Sequence, residues 1–270
     1  MRRARFAWSV GLTLGCVAVS AAAAPPAGNI SASPDIVRTR IDAAVAAGAL
    51  TAADSAFATG ATEAALTAYT ALVGDPTVAA RAQLGVGLAQ LRLGRETAAI
   101  VALDAASRLD PSLVRAWIAR GVAADHQRDW TSAELAYGRA LTLDGRSAAA
   151  LTNRGYSRLL RGRLDEAVSD LSQALVIEPG LAPAANNLRL ARAMLGDYKN
   201  AFAGSTKASL VNDLNTVGFA AMSRGEYGIA ETYFTRAMRL SPQFDRTAWD
   251  NLVYLKQLAH QPAVPGPPQR

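Results

Sequence analysis

The sequence predicts an all-α chain, a right-handed superhelix of helix–turn–helix repeats closed by a C-terminal capping helix. Three observations predict it. Alanine makes up about a fifth of the 270 residues and aromatic residues only 6%. Such a chain fills its core with small side chains, which favours closely packed helices, because Ala is the best helix former and a poor strand residue. The second observation is a period. Proline follows an acidic or polar residue at Asp75-Pro76, Asp110-Pro111, Glu178-Pro179 and Ser241-Pro242. Pro111 and Pro179 are 68 residues apart, twice 34, and Asp144-Gly145 stands at the midpoint. The third is that small and large residues keep register with that period.

In the stretch ending at Asp144 the periodic positions hold Trp117, Gly121, Ala124, Ala133, Tyr137 and Ala140. The following stretch holds Leu151, Gly155, Arg158, Ala167, Leu171, Ala174 and Pro179, and a later one Leu214, Gly218, Ala221, Tyr227, Ala230, Phe234, Ala237 and Pro242. A 34-residue helix–turn–helix unit with this pattern resembles the tetratricopeptide repeat. Gly121 or Gly155 in the first helix and Ala133 or Ala167 in the second are expected to bring the helices close. Large residues such as Trp117 and Tyr137 are expected to plug the gaps.

Taken from the N-terminus, Arg2, Arg3 and Arg5 precede the apolar run Phe6 to Gly15 and the small residues Ser20 to Ala24. This is the pattern of an export signal over 1–24, too short to span a bilayer as a stable helix. Its Cys16 follows Thr13-Leu14-Gly15 and has two readings. Either Cys16 is lipidated as the first residue of a lipoprotein, or a cut within Ala21 to Ala24 leaves a soluble form without cysteine. Residues 25–33 read as a tether. Ser33-Pro34-Asp35 then opens a helix, with a Ser cap and Pro at the first helical position.

The register divides 34–258 into repeats at about 45–78, 80–113, 114–147, 148–181, 182–210 and 211–244, with a cap at 245–258. Gly94, Gly162, Gly196 and Gly225 are placed to end first helices in the left-handed conformation. The prolines end second helices, since Pro cannot continue a helix and holds its predecessor extended. Repeat 182–210 is short, and Arg189 stands where the others have Gly. Its second helix starts near Asp197 and meets Gly204-Ser205-Thr206 after about two turns of chain. It reads as a drifted repeat with a shorter helix, or as a change of direction that shapes a docking surface. The cap carries Trp249, Leu252, Tyr254 and Leu255, because a solenoid must hide the apolar face of its last repeat. Pro262, Pro265, Pro267 and Pro268 mark 259–270 as a disordered tail.

Composition excludes much chemistry. One Cys and two His, His126 and His260, argue against a disulfide framework and against a His- or Cys-based metal site. The formal charge is +6, but outside 1–24 there remain 25 basic against 22 acidic residues, too close to balance to imply nucleic acid. Phosphate-loop, zinc-protease and nucleophile-elbow motifs do not occur. Gly85-Val86-Gly87 lies inside a helical pattern, His126 near Asp125 and Arg128 reads as a surface histidine, and Asp165-Glu166 as part of a solvated face. No catalytic residue, metal or cofactor is expected, and the chain reads as a non-enzyme.

What remains is the concave surface lined by first helices. Positions 2, 5, 6, 9, 12 and 13 of each repeat are expected to border it. They hold Arg81, Leu84, Leu88 and Arg92, then Arg115, Ile118, Val122 and His126. The later repeats contribute Thr152, Asn153 and Tyr156, then Asn186, Asn187 and Leu190, then Asn212, Asn215 and Phe219. An amide both donates and accepts, so Asn153, Asn187 and Asn215 could pair with the backbone of an extended peptide, with Tyr156 and Phe219 packing beside it. Asn153 and Asn187 hold the same position in successive repeats and resemble the asparagine ladder of some peptide-binding tetratricopeptide proteins. Ile118 and Val122 stand where a chaperone-type carboxylate clamp needs Lys and Asn.

Three further features resemble the tetratricopeptide lipoproteins of the tight-adherence (Tad) Flp pilus system. They are a Cys-bearing export segment on an Ala-rich chain, the shortened repeat running from Asn186-Asn187-Leu188-Arg189 to Gly196-Asp197-Tyr198, and the ending Gly225-Glu226-Tyr227 through Arg236-Ala237-Met238-Arg239-Leu240-Ser241-Pro242 to Asn251-Leu252. The resemblance implies an accessory role in pilus assembly, with pilus or secretion components as protein partners. It also implies a place in the periplasm, anchored at the outer membrane if Cys16 is lipidated. The alternatives are a general periplasmic adaptor for polysaccharide or cell-wall machinery and a docking subunit of an enzyme.

Overall fold

The computed structural model describes residues 34–259, with side chains from 42 to 258. The expected export segment 1–24 with Cys16, the tether 25–33 and the Pro-rich tail lie outside the described residues. Every regular element among the described residues is an α-helix. None of these helices is long and apolar enough to cross a membrane.

The chain divides into two compact units after Gly145. The first contains α1 (Pro34–Ala58), α2 (Thr62–Leu72), α3 (Ala79–Arg92), α4 (Glu96–Leu109), α5 (Val114–His126) and α6 (Trp130–Leu143), each packed on the next. The second contains α7 (Ala148–Leu160), α8 (Leu164–Ile177), α9 (Ala182–Met194), α10 (Tyr198–Ala201), α11 (Leu210–Ser223), α12 (Tyr227–Leu240) and α13 (Arg246–Ala259). Each unit is thus a stack of helix pairs, the all-α repeat architecture expected from the sequence.

The pairs are joined by one recurring fit. A Cβ added to Gly121 would lie 2.5 Å from the Tyr137 ring, and one added to Gly155 would lie 2.7 Å from Leu171. Gly87 faces Leu103 at 2.5 Å, and Gly218 faces Phe234 at 2.7 Å, in the same way. In all four cases the glycine is on the first helix and the large, fully buried residue stands sixteen positions later on the second. The glycine is therefore a socket for a side chain of the paired helix. The sequence expectation of close approach is right, but in these four pairs the large residue fills the pair's own interior; only Tyr69 among these large residues meets a glycine of the next repeat, Gly85, where an added Cβ would lie 2.4 Å from its ring.

Helix ends follow the expected chemistry. Gly94, Gly162, Gly196 and Gly225 have φ between 70° and 85°. In the repeat that lacks this glycine, Arg128 takes φ 60° instead, a conformation that strains an ordinary side chain. Asp110 and Glu178, each before a proline, are extended at φ −136° and −128° and close α4 and α8. At the other end of the chain a helix opens at Pro34 as expected, and it runs without a break into the first helix of repeat 45–78. Residues 34–58 form one continuous helix of 25 residues, since Gly48 faces open space in mid-helix and no proline follows Pro34 before α1 ends.

Repeat 182–210 differs in kind. Its second helix is the four-residue α10, capped by Asp197, whose side chain accepts from the Asn200 amide. With so little second helix, α9 packs directly on α11. Leu190, Ala193, Ala201, Val217 and Ala220 form the core there, and Tyr198, Phe202 and Tyr233 close over it. The Tyr198 and Phe202 rings lie 5.9 and 5.6 Å from that of Tyr233. The shortened repeat is sealed by two aromatics of its own and one from α12.

Candidate partner-binding surface

The shortened repeat also explains Arg189. Sixteen residues after it, where the complete repeats place a large residue, stands Ser205. Arg189 is buried, with Nη1 3.0 Å from Asp213 Oδ1 and donating to Asn186 Oδ1 at 3.0 Å. Asp213 is buried as well, and its second oxygen accepts from the Ser209 hydroxyl at 2.8 Å. Burial lowers the Arg189 pKa and Asp213 opposes the shift. The ion pair ties α9 to α11 where the other repeats use glycine.

The expected groove positions fall into two groups. Leu84, Leu88, Ile118, Val122 and Thr152 are all buried. They belong to the core and not to an open groove, which corrects their placement. Arg81, Arg115, Asn186 and Asn212 are exposed, while Asn153, Tyr156 and Phe219 are half-buried. Phe219 packs against the cluster of Ala221, Met222, Ala230, Phe234 and Leu255.

The three amides of the expected ladder are not equivalent. Asn153 Nδ2 donates to the carbonyl of Ala149 in its own helix at 2.9 Å, keeping one N–H and its oxygen. Asn215 is buried, donates to Asp245 Oδ2 at 2.9 Å, and has its own Oδ1 buried without a partner. It fastens the N-terminal end of α13 to α11, so its assignment to a peptide-binding ladder is corrected: the cap has taken its amide. Asn187 is only 8% exposed, yet its amide makes no hydrogen bond to another described residue. Neither of its polar atoms is fully buried, so the amide still reaches the surface.

In the first unit the basic residues are organised around a tyrosine. Tyr69 is buried in α2, and its hydroxyl donates to Asp54 Oδ1 at 2.7 Å. Burial and that carboxylate push the phenol far up, while Arg115 and Arg92 pull it back. Arg81 lies 3.5 Å from Asp54, and Arg92 stacks on the Phe57 ring at 3.5 Å and donates to the Phe57 carbonyl. Arg81 and Arg115 therefore belong to one electropositive patch with Asp54 as its internal counter-charge. The sequence marked the arginines but not Asp54 or Tyr69.

Other polar residues turn out to be structural. The Asp125 carboxylate accepts from the Tyr137 hydroxyl at 2.8 Å, and His126 Nδ1 sits 3.6 Å from Glu96. Asp170 is buried, accepting from Arg154 at 2.9 and 2.7 Å and from Arg158 at 2.7 Å. Glu166, expected on a solvated face, is instead held by Arg163 at 2.6 Å, with Arg158 at 3.6 Å; its neighbour Asp165 is exposed.

Stacked helix pairs, glycine sockets and an amide-bearing face define a helical-repeat scaffold. The tetratricopeptide repeat family matches residues 50–114, 101–145 and 118–187, just over half of the chain, and the chain belongs to that family. Repeats of this family typically bind protein partners. Among solved structures, the chain is similar to one from the Cut9–Hcn1 hetero-tetramer of the APC/C, at 18% identity and a TM-score of 0.63, covering 78% of this chain and 42% of that one. It thus spans less than half the length of that relative. A tetratricopeptide repeat protein from Parabacteroides merdae ATCC 43184 matches at 16% identity and a TM-score of 0.54, over 78% of this chain and 84% of the other. Both likenesses concern the fold. No curated protein matches.

Proposed function

We propose that the chain is a non-enzymatic scaffold of the bacterial envelope that binds an extended segment of a partner protein, as an accessory assembly factor of a Tad/Flp-type pilus. The observation that carries the binding role is Asn187, whose residue is only 8% exposed while its amide reaches the surface and makes no hydrogen bond to another described residue. Asn153, one repeat earlier, keeps its oxygen and one N–H, and exposed Asn186 lies beside it in sequence. These groups suit the backbone of an extended chain, which offers a donor and an acceptor at every residue.

The envelope location rests on the arginine-led apolar segment at the N-terminus, and the pilus role on the resemblance of the shortened repeat and the chain ending. Deleting the gene should abolish surface pili, and the wild-type chain should restore them. Asn153→Ala/Asn187→Ala should weaken partner binding about tenfold, as two net hydrogen bonds imply. Normal piliation with altered surface polysaccharide would instead favour the periplasmic adaptor. Cys16→Ser should release a lipidated form from the membrane; an unchanged distribution, with a mature N-terminus near Ala23, would mean a soluble protein.

A further inference from the structure

The first unit gathers cations in excess of the anions beside them. Arg81 and Arg92 stand eleven residues apart on α3, about three turns, which returns them to one helix face. Their guanidinium groups converge on the C-terminal end of α1. Arg81 lies 3.5 Å from Asp54, and Arg92 sits 3.5 Å over the Phe57 ring while donating to the Phe57 carbonyl. Arg115 holds the Arg81 position of the next repeat, on α5, which packs against α3. Its charge is felt at the same place, since it acts on the Tyr69 hydroxyl that donates to Asp54. Asp54 supplies the negative charge, and its two oxygens already serve Tyr69 and Arg81. The partners of Arg92 are an uncharged ring and a carbonyl, and Arg115 makes no hydrogen bond or ion pair with another described residue. Three exposed arginines thus meet one carboxylate. α3 contains no acidic residue, and the one in α5, Asp125, accepts from Tyr137. On the second helices, Glu63 is held by Arg95 and Asp104 by Arg120.

We propose that Arg81, Arg92 and Arg115 take up the carboxylates of an acidic segment of the partner protein, an inference that rests on the scaffold reading above and adds the chemistry of what is bound. Asp54 already displays the fit, a carboxylate held by a guanidinium on one oxygen and a phenol on the other. An incoming Asp or Glu meets the donors that Asp54 leaves unused, on Arg92 and Arg115, and a guanidinium presents two parallel N–H groups to a carboxylate. The resident charge also selects the occupant. A doubly charged phosphate is repelled by Asp54 more strongly than a singly charged carboxylate, and nucleic acid requires a longer basic stripe than three arginines provide. The cluster uses other positions than Ile118 and Val122, where a chaperone-type clamp would be built.

The test is fluorescence anisotropy of a labelled peptide of alternating Glu and Ser, titrated with the purified chain beside a control of alternating Gln and Ser. The Glu peptide should bind, the Gln peptide should not, and added salt should weaken the binding. Arg115→Glu should weaken it about tenfold with unchanged helical circular dichroism, since the site is exposed. Asp54→Asn should strengthen it, because the change removes the resident charge and keeps an oxygen for Tyr69; a carboxylate that only supports the fold would give no such gain. Equal binding of the Gln peptide, no binding of the Glu peptide, an Arg115→Glu chain that binds as the wild type does, or an Asp54→Asn chain that binds no better overturns the proposal. Tighter binding of a peptide with phosphoserine in place of Glu overturns it in favour of a phosphorylated partner. The Asn153 and Asn187 amides take no part in this readout, so failure here leaves partner binding through them standing, and their failure leaves this result in place.

Discussion

Replacing Gly121 by Ala tests the socket that organises four of the helix pairs. In a helix interior that change ordinarily stabilises by about 0.8–1.0 kcal/mol through propensity alone. Here the new methyl would lie 2.5, 2.7 and 2.8 Å from three carbons of the Tyr137 ring. The ring cannot swing aside, because it is 1% exposed and its hydroxyl is tied to Asp125. Overpacking of this kind costs about 1–3 kcal/mol, so the propensity gain is cancelled or reversed. Gly138, on the paired helix α6, faces open space, and Gly138→Ala should show the gain undiminished. The two substitutions share their chemistry, so their difference isolates the clash. Thermal unfolding followed by circular dichroism should separate them by several degrees, at about 2–4 °C per kcal/mol for a chain of this size. If Gly121→Ala raises the midpoint as much as Gly138→Ala does, the ring is not seated on the glycine and the socket argument is wrong.

Three further outcomes are expected. Arg189→Met should cost about 3–5 kcal/mol by stranding Asp213, while Arg189→Met/Asp213→Leu should recover much of the loss; equal losses in urea unfolding would mean the pair contributes by packing alone. Tyr198 donates to Glu226 at 2.6 Å, and burial with that bond raises its pKa to about 12. Its contribution is complete below the unfolded value near 10 and is lost as pH rises through about 12; in an ultraviolet titration, Tyr198→Phe should remove one phenol from the latest-ionising part of the curve. Asp165→Ala should leave stability unchanged within about 0.5 kcal/mol, whereas Glu166→Ala should lower it slightly, by up to about 1 kcal/mol, through loss of the partly exposed Arg163 and Arg158 contacts; urea midpoints measured side by side check both.

The groove was legible as a set of positions but not as a set of available groups. Asn153, Asn187 and Asn215 share a residue type and nearly share a register, and local sequence distinguishes them poorly. What separates them is whom each meets: its own helix, no described residue, or the aspartate that opens the cap. The same holds for Leu84 and Val122, which are on the expected helix faces but end up buried in the core. Trp249 is expected to cap the last repeat because an apolar residue on a terminal helix ordinarily turns inward, but it is 48% exposed and Ala248 and Leu255 take that role.

The sequence by itself determined the repeat. A 34-residue period, glycine sixteen residues ahead of a large side chain, and proline after an extended residue are local or near-local instructions, and each repeat can carry them out with its neighbour alone. Even the anomaly at Arg189 was written there, as a missing socket paired with a missing large residue at Ser205. Only the tertiary structure decided the partners of charged and amide groups. Asp213 reaches Arg189 because a four-residue α10 lets α11 close onto α9, and Asp54, Arg81 and Tyr69 meet across three helices. Periodicity fixes which way a side chain points, but the free energy of a polar group depends on what stands opposite it. That is set by distances between helices, which no single stretch of sequence encodes.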